Sequence, residues 1–164
     1  MYFVGINEHA APHRRDLAAM IVPLGRALMA AELPVLRAHD ISMWGYAVLL
    51  ALGERPTRTQ AALATAIGAD KTRLIPVLDE LQDRGLIERR PDPADRRARL
   101  LSVTPGGKRL RESVQRDIQH REERLLSRLS PGDRATFLRV LQTLAALPPA
   151  EIRQGEDLGA PGQG

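Results

Sequence analysis

Cysteine is absent from the 164 residues, which excludes disulfides, thiolate metal sites and cysteine-based redox sensing. Aromatic residues make up only 3%, so a core has to be built from Leu, Ala, Val and Ile. No run approaches the ~20 consecutive apolar residues of a membrane-spanning helix. The opening MYFVGINEHAAPHRRD lacks a basic-then-apolar leader pattern. The expectation is a soluble cytoplasmic protein with no membrane partner. Nor does the chain offer a nucleophile–base pair, a glycine-rich phosphate loop or a ligand cluster. It is therefore expected not to be an enzyme and to need no cofactor.

What is present is a 43% hydrophobic chain, enough for one domain of ordinary size with a real core. Lys and Arg number 24 against 20 Asp and Glu, and the sequence pI is about 10.3. A basic balance of this kind favours a polyanion as partner, although ribosomal, membrane-surface and plain soluble proteins share it.

The organising stretch is Thr59 to Thr104. Leu63, Ala64 and Ile67 make an apolar stripe on a first short helix, Gln60 to Ile67. Thr59 suits its N-cap, because a hydroxyl can accept from the amides left free at a helix start. Gly68 follows, where a left-handed residue carries the least penalty. Asp70 or Thr72 caps a second helix with Leu74, Val77, Leu78 and Leu81 inward, and this helix stops at Gly85. Neither short helix buries its stripe alone, so the pair predicts a helix-turn-helix. Two extended runs come next, Leu86 to Arg90 and Ala98 to Val103. The Pro- and Asp-rich segment between them cannot be strand interior and reads as the tip of a hairpin, a wing. Between Arg84 and Arg111 lie nine basic and three acidic residues, so this segment is more basic than the rest of the chain. A basic hairpin beside a helix start carrying Lys71 and Arg73 suits a phosphate-lined groove.

The flanks are helical by the same reasoning. Residues 1–15 show no periodicity and are expected to be a flexible arm. A stripe from Leu17 through Leu24 and Leu28 to Val35 predicts a helix over 16–40, bent at Pro23 and kinked or ended at Pro34. Ser42 caps the next helix, with Trp44, Val48, Ala51 and Leu52 inward and a stop at Gly53 and Pro56. Thr57-Arg58 offers a short third strand beside the wing. Thr104-Pro105 is an N-cap followed by proline at the first helical position. It opens a helix to about Leu129 with Leu110, Val114, Ile118 and Leu125 on one side. Ser130-Pro131-Gly132-Asp133 restarts a helix carrying Phe137, Val140, Leu141 and Leu144, which breaks at Pro148-Pro149. Residues 148–164 are expected to be a disordered tail. The terminal helices exceed what a small winged region, residues 41–104, can cover. The economical arrangement pairs 16–40 and 105–147 with those of a second copy, a homodimer.

Several side chains are candidates for the groove. Lys71, Thr72 and Arg73 open the second helix and would reach base edges and phosphates. Thr59 and Gln60 could donate to phosphates, and Arg90 and Arg99 belong to the basic wing strands. At the wing tip Arg96 and Arg97 suit a narrow minor groove. Asp95 makes sense beside them if it orients an arginine by a charge-assisted hydrogen bond. The bland alternatives are a solvated helix start and a charged turn. The four histidines are His9, His13, His39 and His120. His39-Asp40 with His120 would make a metal sensor, but scattered surface histidines are commoner and the expectation is no metal.

The run GADKTRLIPVLDELQDRGLIERRPDPADRRARLLSVTPGGKRL resembles the winged-helix core of MarR-type bacterial transcriptional regulators. LDELQDRGLIERR, DPADRRA and LSVTPGG carry that resemblance in combination, which extends less specifically over Asp16 to Leu147. It implies a mainly α fold with a small β-hairpin, a winged helix-turn-helix between N- and C-terminal dimerisation helices. It implies an intertwined homodimer binding a pseudo-palindromic site on double-stranded DNA as a repressor or activator, with repressor preferred. It also carries over Asp95 and Arg97 as a pair, and places Trp44 and Tyr46 near a pocket for a small-molecule effector of unspecified chemistry. Trp44 as ordinary core is the plainer reading. Pro76 departs from the family pattern, and it removes an amide bond to Thr72 from the reading helix. The rival readings are a winged-helix protein–protein adaptor with an acidic partner and a metal-responsive regulator.

Overall fold

Helix starts with a matched side-chain acceptor and stops at left-handed residues set the order of elements. The structure is a computed structural model, and it describes residues 15–54, 58–93, 95 and 99–153. In chain order they form α1 (Leu17–Ala38), α2 (Met43–Glu54), β1 (Arg58–Thr59), α3 (Gln60–Ile67), α4 (Lys71–Asp83), β2 (Ile87–Pro91), β3 (Arg99–Val103), α5 (Pro105–Leu126), α6 (Pro131–Ala145) and α7 (Pro149–Arg153). The chain divides into two compact units, Met1–Ile118 and Gln119–Gly164.

In the first unit each predicted cap is in place. The Thr59 hydroxyl accepts from the Ala62 amide at 3.2 Å, and Gly68 closes α3 at φ +64°. Asp70, rather than Thr72, caps α4, accepting from the Thr72 amide at 2.7 Å. Ser42 caps α2 by accepting from the Gly45 amide at 3.0 Å. The three strands order as β1-β3-β2, all antiparallel, with Ile87 opposite Val103 and Arg58 opposite Leu101. A short third strand beside the wing thus exists over Arg58–Thr59, while Thr57 lies outside the described residues. Buried Leu63, Leu74, Leu78, Leu81, Ile87 and Leu101 meet Val48, Leu49 and Leu52 of α2 and Val114 and Ile118 of α5 in one apolar core.

Thr104 ties the end of the wing to both neighbours. Its hydroxyl donates to the Gly85 carbonyl at 2.7 Å and accepts from the Gly107 amide at 3.1 Å, while its own amide donates to the Leu86 carbonyl at 3.0 Å. This draws the first turn of α5 so close to the Leu86 backbone that a Cβ on Gly107 would collide with that carbonyl. Glycine is required there by space.

Four expectations need correction. Of the two alternatives at Pro34, kinking or ending the helix, the second is excluded, since α1 runs through Pro23 and Pro34 to Ala38. A proline removes one amide bond and crowds one carbonyl, and an exposed long helix keeps its remaining ladder. The expectation of no stretch near membrane-span length fails for α1: its 22 residues, with a window of mean hydropathy 1.5, are long and apolar enough by length and composition. Trp44 is not core but 39% exposed, whereas Tyr46 is buried. Gly45, Tyr46, Val48, Leu49 and Leu52 are all buried, so α2 is apolar on most sides and its sequence has no single stripe to set the phase. Residues 149–153 form α7. The arm 1–14 and the tail beyond Arg153 lie outside the described residues.

In the second unit, Ser130 caps α6 as expected. Its hydroxyl accepts from the Asp133 amide at 3.2 Å and donates to the Asp133 carboxylate at 2.7 Å. Arg134 at the start of α6 donates to Glu123 at 2.7 Å. None of the residues of α6 is buried, and Phe137, Val140, Leu141 and Leu144 are exposed.

Candidate nucleic-acid interface

The first turn of α4 is where backbone chemistry and charge meet. With Asp70 occupying the amide of Thr72, the side chains of Lys71, Thr72 and Arg73 are all exposed. The Asp70 carboxyl is held below the usual carboxylate range, first by the Thr72 amide and hydroxyl and then by Arg73. It is therefore a firm anion at neutral pH that fixes the start of the helix. Pro76 sits in the second turn of α4 without breaking it, and leaves the Thr72 carbonyl without a helical donor.

The sheet sets out a second group. Thr59 and Arg90 both lie opposite Leu100, one from each neighbouring strand, so they flank it on one face. Arg99 is exposed at the start of β3, opposite Pro91. Arg90 is 72% exposed and donates to Glu88 at 3.0 Å. Glu88 also accepts from the Ser102 hydroxyl at 3.0 Å, and that bond first, then Arg90, lowers its carboxyl below the ordinary range. Gln60 is half-buried beside Thr59. At the wing tip Asp95 is exposed, while Arg96 and Arg97 lie outside the described residues, and with them the Asp95–Arg97 pair.

Three of the nine basic residues counted toward the groove are engaged by the protein's own groups instead. Arg84 donates to the Asp40 carbonyl at 2.6 Å and to Glu80 at 3.1 Å. Arg89 shares a face of β2 with buried Ile87 and donates to Asp79 of α4 at 2.7 Å. Arg111 lies against Gly53 in the last turn of α2, 3.7 Å from Glu112. Sequence separation hides the approaches of Arg84 to Asp40, Arg89 to Asp79 and Arg111 to Gly53, which charge counting cannot detect. The sequence held two signals: the i, i+4 spacing of Glu80 and Arg84, and the period of two along β2 that puts Arg89 in phase with Ile87.

His39 ends α1 and its Nε2 lies 2.7 Å from the Asp117 carboxylate of α5. The histidine that a metal-sensor reading would use is thus paired with an acid 78 positions away, and among the described residues no group of three His, Asp or Glu gathers.

Comparison with known proteins agrees with this geometry. The sequence profile of the MarR family matches residues 39–98. Transcriptional regulator HosA of Escherichia coli O111:H- is 30% identical over 105 residues, covering 64% of this chain and 78% of the relative. Wild-type MarR of E. coli in its apo form superposes with a TM-score of 0.70 at 25% identity, over 83% of this chain and 100% of that one. The transcriptional repressor CouR, solved on a 23-mer DNA duplex, superposes with a TM-score of 0.67 at 27% identity, over 79% of this chain and 92% of that one. A winged helix-turn-helix with an exposed cationic helix start, matched by these regulators, places the chain in the MarR family of DNA-binding transcriptional regulators.

Proposed function

We propose that the protein is a homodimeric repressor that binds a pseudo-palindromic operator. The first turn of α4 enters the major groove of each half-site, and the wing arginines Arg96 and Arg97 enter the flanking minor groove. Lys71, Thr72 and Arg73 contact bases and phosphates. Thr59, Gln60, Arg90 and Arg99 fix the register on the backbone, and Asp95 orients Arg97. The observation that carries this reading is the capped, exposed Lys71–Arg73 turn beside a three-stranded wing. CouR, a repressor of the same fold, is solved on a 23-mer DNA duplex, which supports DNA binding by this fold.

The dimer is supported by apolar surface that no described residue of its own unit covers. On α1, Leu17, Met20, Ile21, Leu24 and Met29 are exposed, and on α6 the whole stripe is. A 15-residue helix with no buried residue is marginal in water. Residues 16–40 and 105–147 therefore serve as dimerisation helices. Arg26, Glu32 and Arg37 lie along α1, and such charges favour a protein partner over lipid, in keeping with a cytoplasmic protein. Release by a small-molecule effector completes the reading, with exposed Trp44 as the contact; buried Tyr46 is held back from that role.

A mobility-shift titration on the DNA upstream of its own gene tests this, run at two salt concentrations beside scrambled DNA. Operator binding should exceed scrambled binding and weaken steeply with salt. Equal affinity for both sequences would overturn the operator reading. A thermal-shift screen against small aromatic acids, repeated on the DNA complex, tests release.

A further inference from the structure

Ile75 is the residue of α4 that none of these roles absorbs. Leu74, Leu78 and Leu81 of the same helix are buried, yet Ile75 is 47% exposed and stands outside the core and the partly buried shell around it. It lies four positions after Lys71 and three after Thr72, a spacing that sets side chains side by side on successive turns. Asp79 follows one turn further on the same strip and is engaged by Arg89. A branched apolar side chain thus projects, with the exposed ring of Pro76 beside it, among the hydrogen-bonding groups of Lys71, Thr72 and Asp79. It does so within the first two turns, the part of a reading helix that reaches base edges.

The major groove presents donors and acceptors on every base pair but only one apolar group, the C5 methyl of thymine. Set against a phosphate or a cytosine amino group, an isoleucine would strip water from a polar group and return no hydrogen bond. Set against a methyl, it buries apolar area on both partners. Because Ile is branched at Cβ, a helix holds it mostly in one χ1 rotamer, so the contact is built before DNA arrives. We propose that Ile75 reads a thymine methyl, selecting an A·T pair in one orientation at one position of each half-site, adjacent to the bases met by Lys71 and Thr72. This rests on the reading of α4 as the groove helix and adds a specificity determinant to it.

The test uses the full-length protein and the duplexes it enriches from randomised DNA. Each thymine of an enriched duplex is replaced singly by deoxyuridine, which removes the methyl and leaves every hydrogen-bonding group. One thymine per half-site should prove sensitive, with affinity falling about three- to fivefold. Ile75→Ala should lose that sensitivity and bind both duplexes alike, while Ile75→Val should keep most of it. The deoxyuridine scan of the unaltered protein does not depend on any variant folding. Enrichment without a sensitive thymine, or a loss that persists undiminished in Ile75→Ala, would overturn the inference alone. Failure to enrich any sequence would overturn the operator reading and the inference with it.

Discussion

Arg89 of β2 donates from one guanidinium nitrogen to Asp79 of α4 at 2.7 Å while its Nε and other terminal nitrogen, both buried, find no partner among the described residues. β2 and α4 are thereby joined through a charge that is only partly solvated. Removing the acid should be worse than removing the base. Asp79→Ala leaves the whole guanidinium unpaired and should cost about 1 kcal/mol or more. Arg89→Met keeps the packing and deletes the unsatisfied donors, so it should hold or raise the melting temperature. Thermal unfolding of both variants decides; a larger loss for Arg89→Met would remove the orphaned donors from the account.

Two glycines at close approaches should respond in opposite ways. At Gly107 a new Cβ meets the Leu86 backbone, which has no room to move, so Gly107→Ala should destabilise by roughly 1–3 kcal/mol. At Gly53 it meets only the far end of Arg111, which can swing aside. There the better helix propensity of alanine, up to about 1 kcal/mol, offsets much of the disturbance. Denaturant titrations of the two variants should separate them clearly.

Acid should weaken the fold through specific carboxylates. Asp70 and Glu88 have folded pKa values below their ordinary ones, so their contribution is present above the unfolded values and lost as pH falls below roughly 4. Glu122 has the opposite sign: burial first, and the neighbouring Glu123 charge second, raise its pKa. Its ionisation opposes folding near neutrality. Glu122→Gln should therefore raise the melting temperature at pH 7, and the gain should fade as pH drops through the range where Glu122 protonates. A gain that stays constant down to pH 4 would contradict this.

The assembly surfaces can be separated from the winged core. Leu141 is exposed, so Leu141→Asp should leave cooperative unfolding of the Met1–Ile118 unit in place while sedimentation reports a monomer. Cutting the chain before Ser130 should do the same or lower solubility. A well-folded dimer after either change would move the interface elsewhere.

On DNA, Arg73→Ala should cost about 1–3 kcal/mol on the operator and relax one position per half-site. Arg97→Ala should instead alter tolerance at the flanks. Asp95→Ala should weaken binding in the same direction as Arg97→Ala, although it makes the wing more positive. Tighter binding by Asp95→Ala would reduce the wing to a charged loop.

What was legible in the sequence was local. Thr59, Gly68, Ser130 and Thr104-Pro105 mark their helix boundaries because the groups they satisfy lie within a few residues, and a cap has to match its own amides. The Asp70 or Thr72 alternative was settled by geometry that the letters share. Arg84 on Asp40 and His39 on Asp117 join residues far apart in the chain, where no spacing rule operates. Trp44 was misplaced because α2 is apolar nearly all round. Ile75 falls outside the inward stripe of Leu74, Val77, Leu78 and Leu81, but only its exposure shows an apolar side chain left facing solvent.

Among the described residues the buried apolar core ends at Ile118, before α6 begins. Domains of a growing polypeptide fold from the N-terminal side as they are made. The DNA-reading lobe thus has all its buried residues while the ribosome is still adding the last helices. Under the dimer proposed above, pairing comes after folding, and a chain finds its partner with its reading helix already set. A copy damaged only in α4 still joins normal copies through intact α1 and α6. Such an allele would silence the assemblies it enters, a dominant effect from a change that never touches the interface.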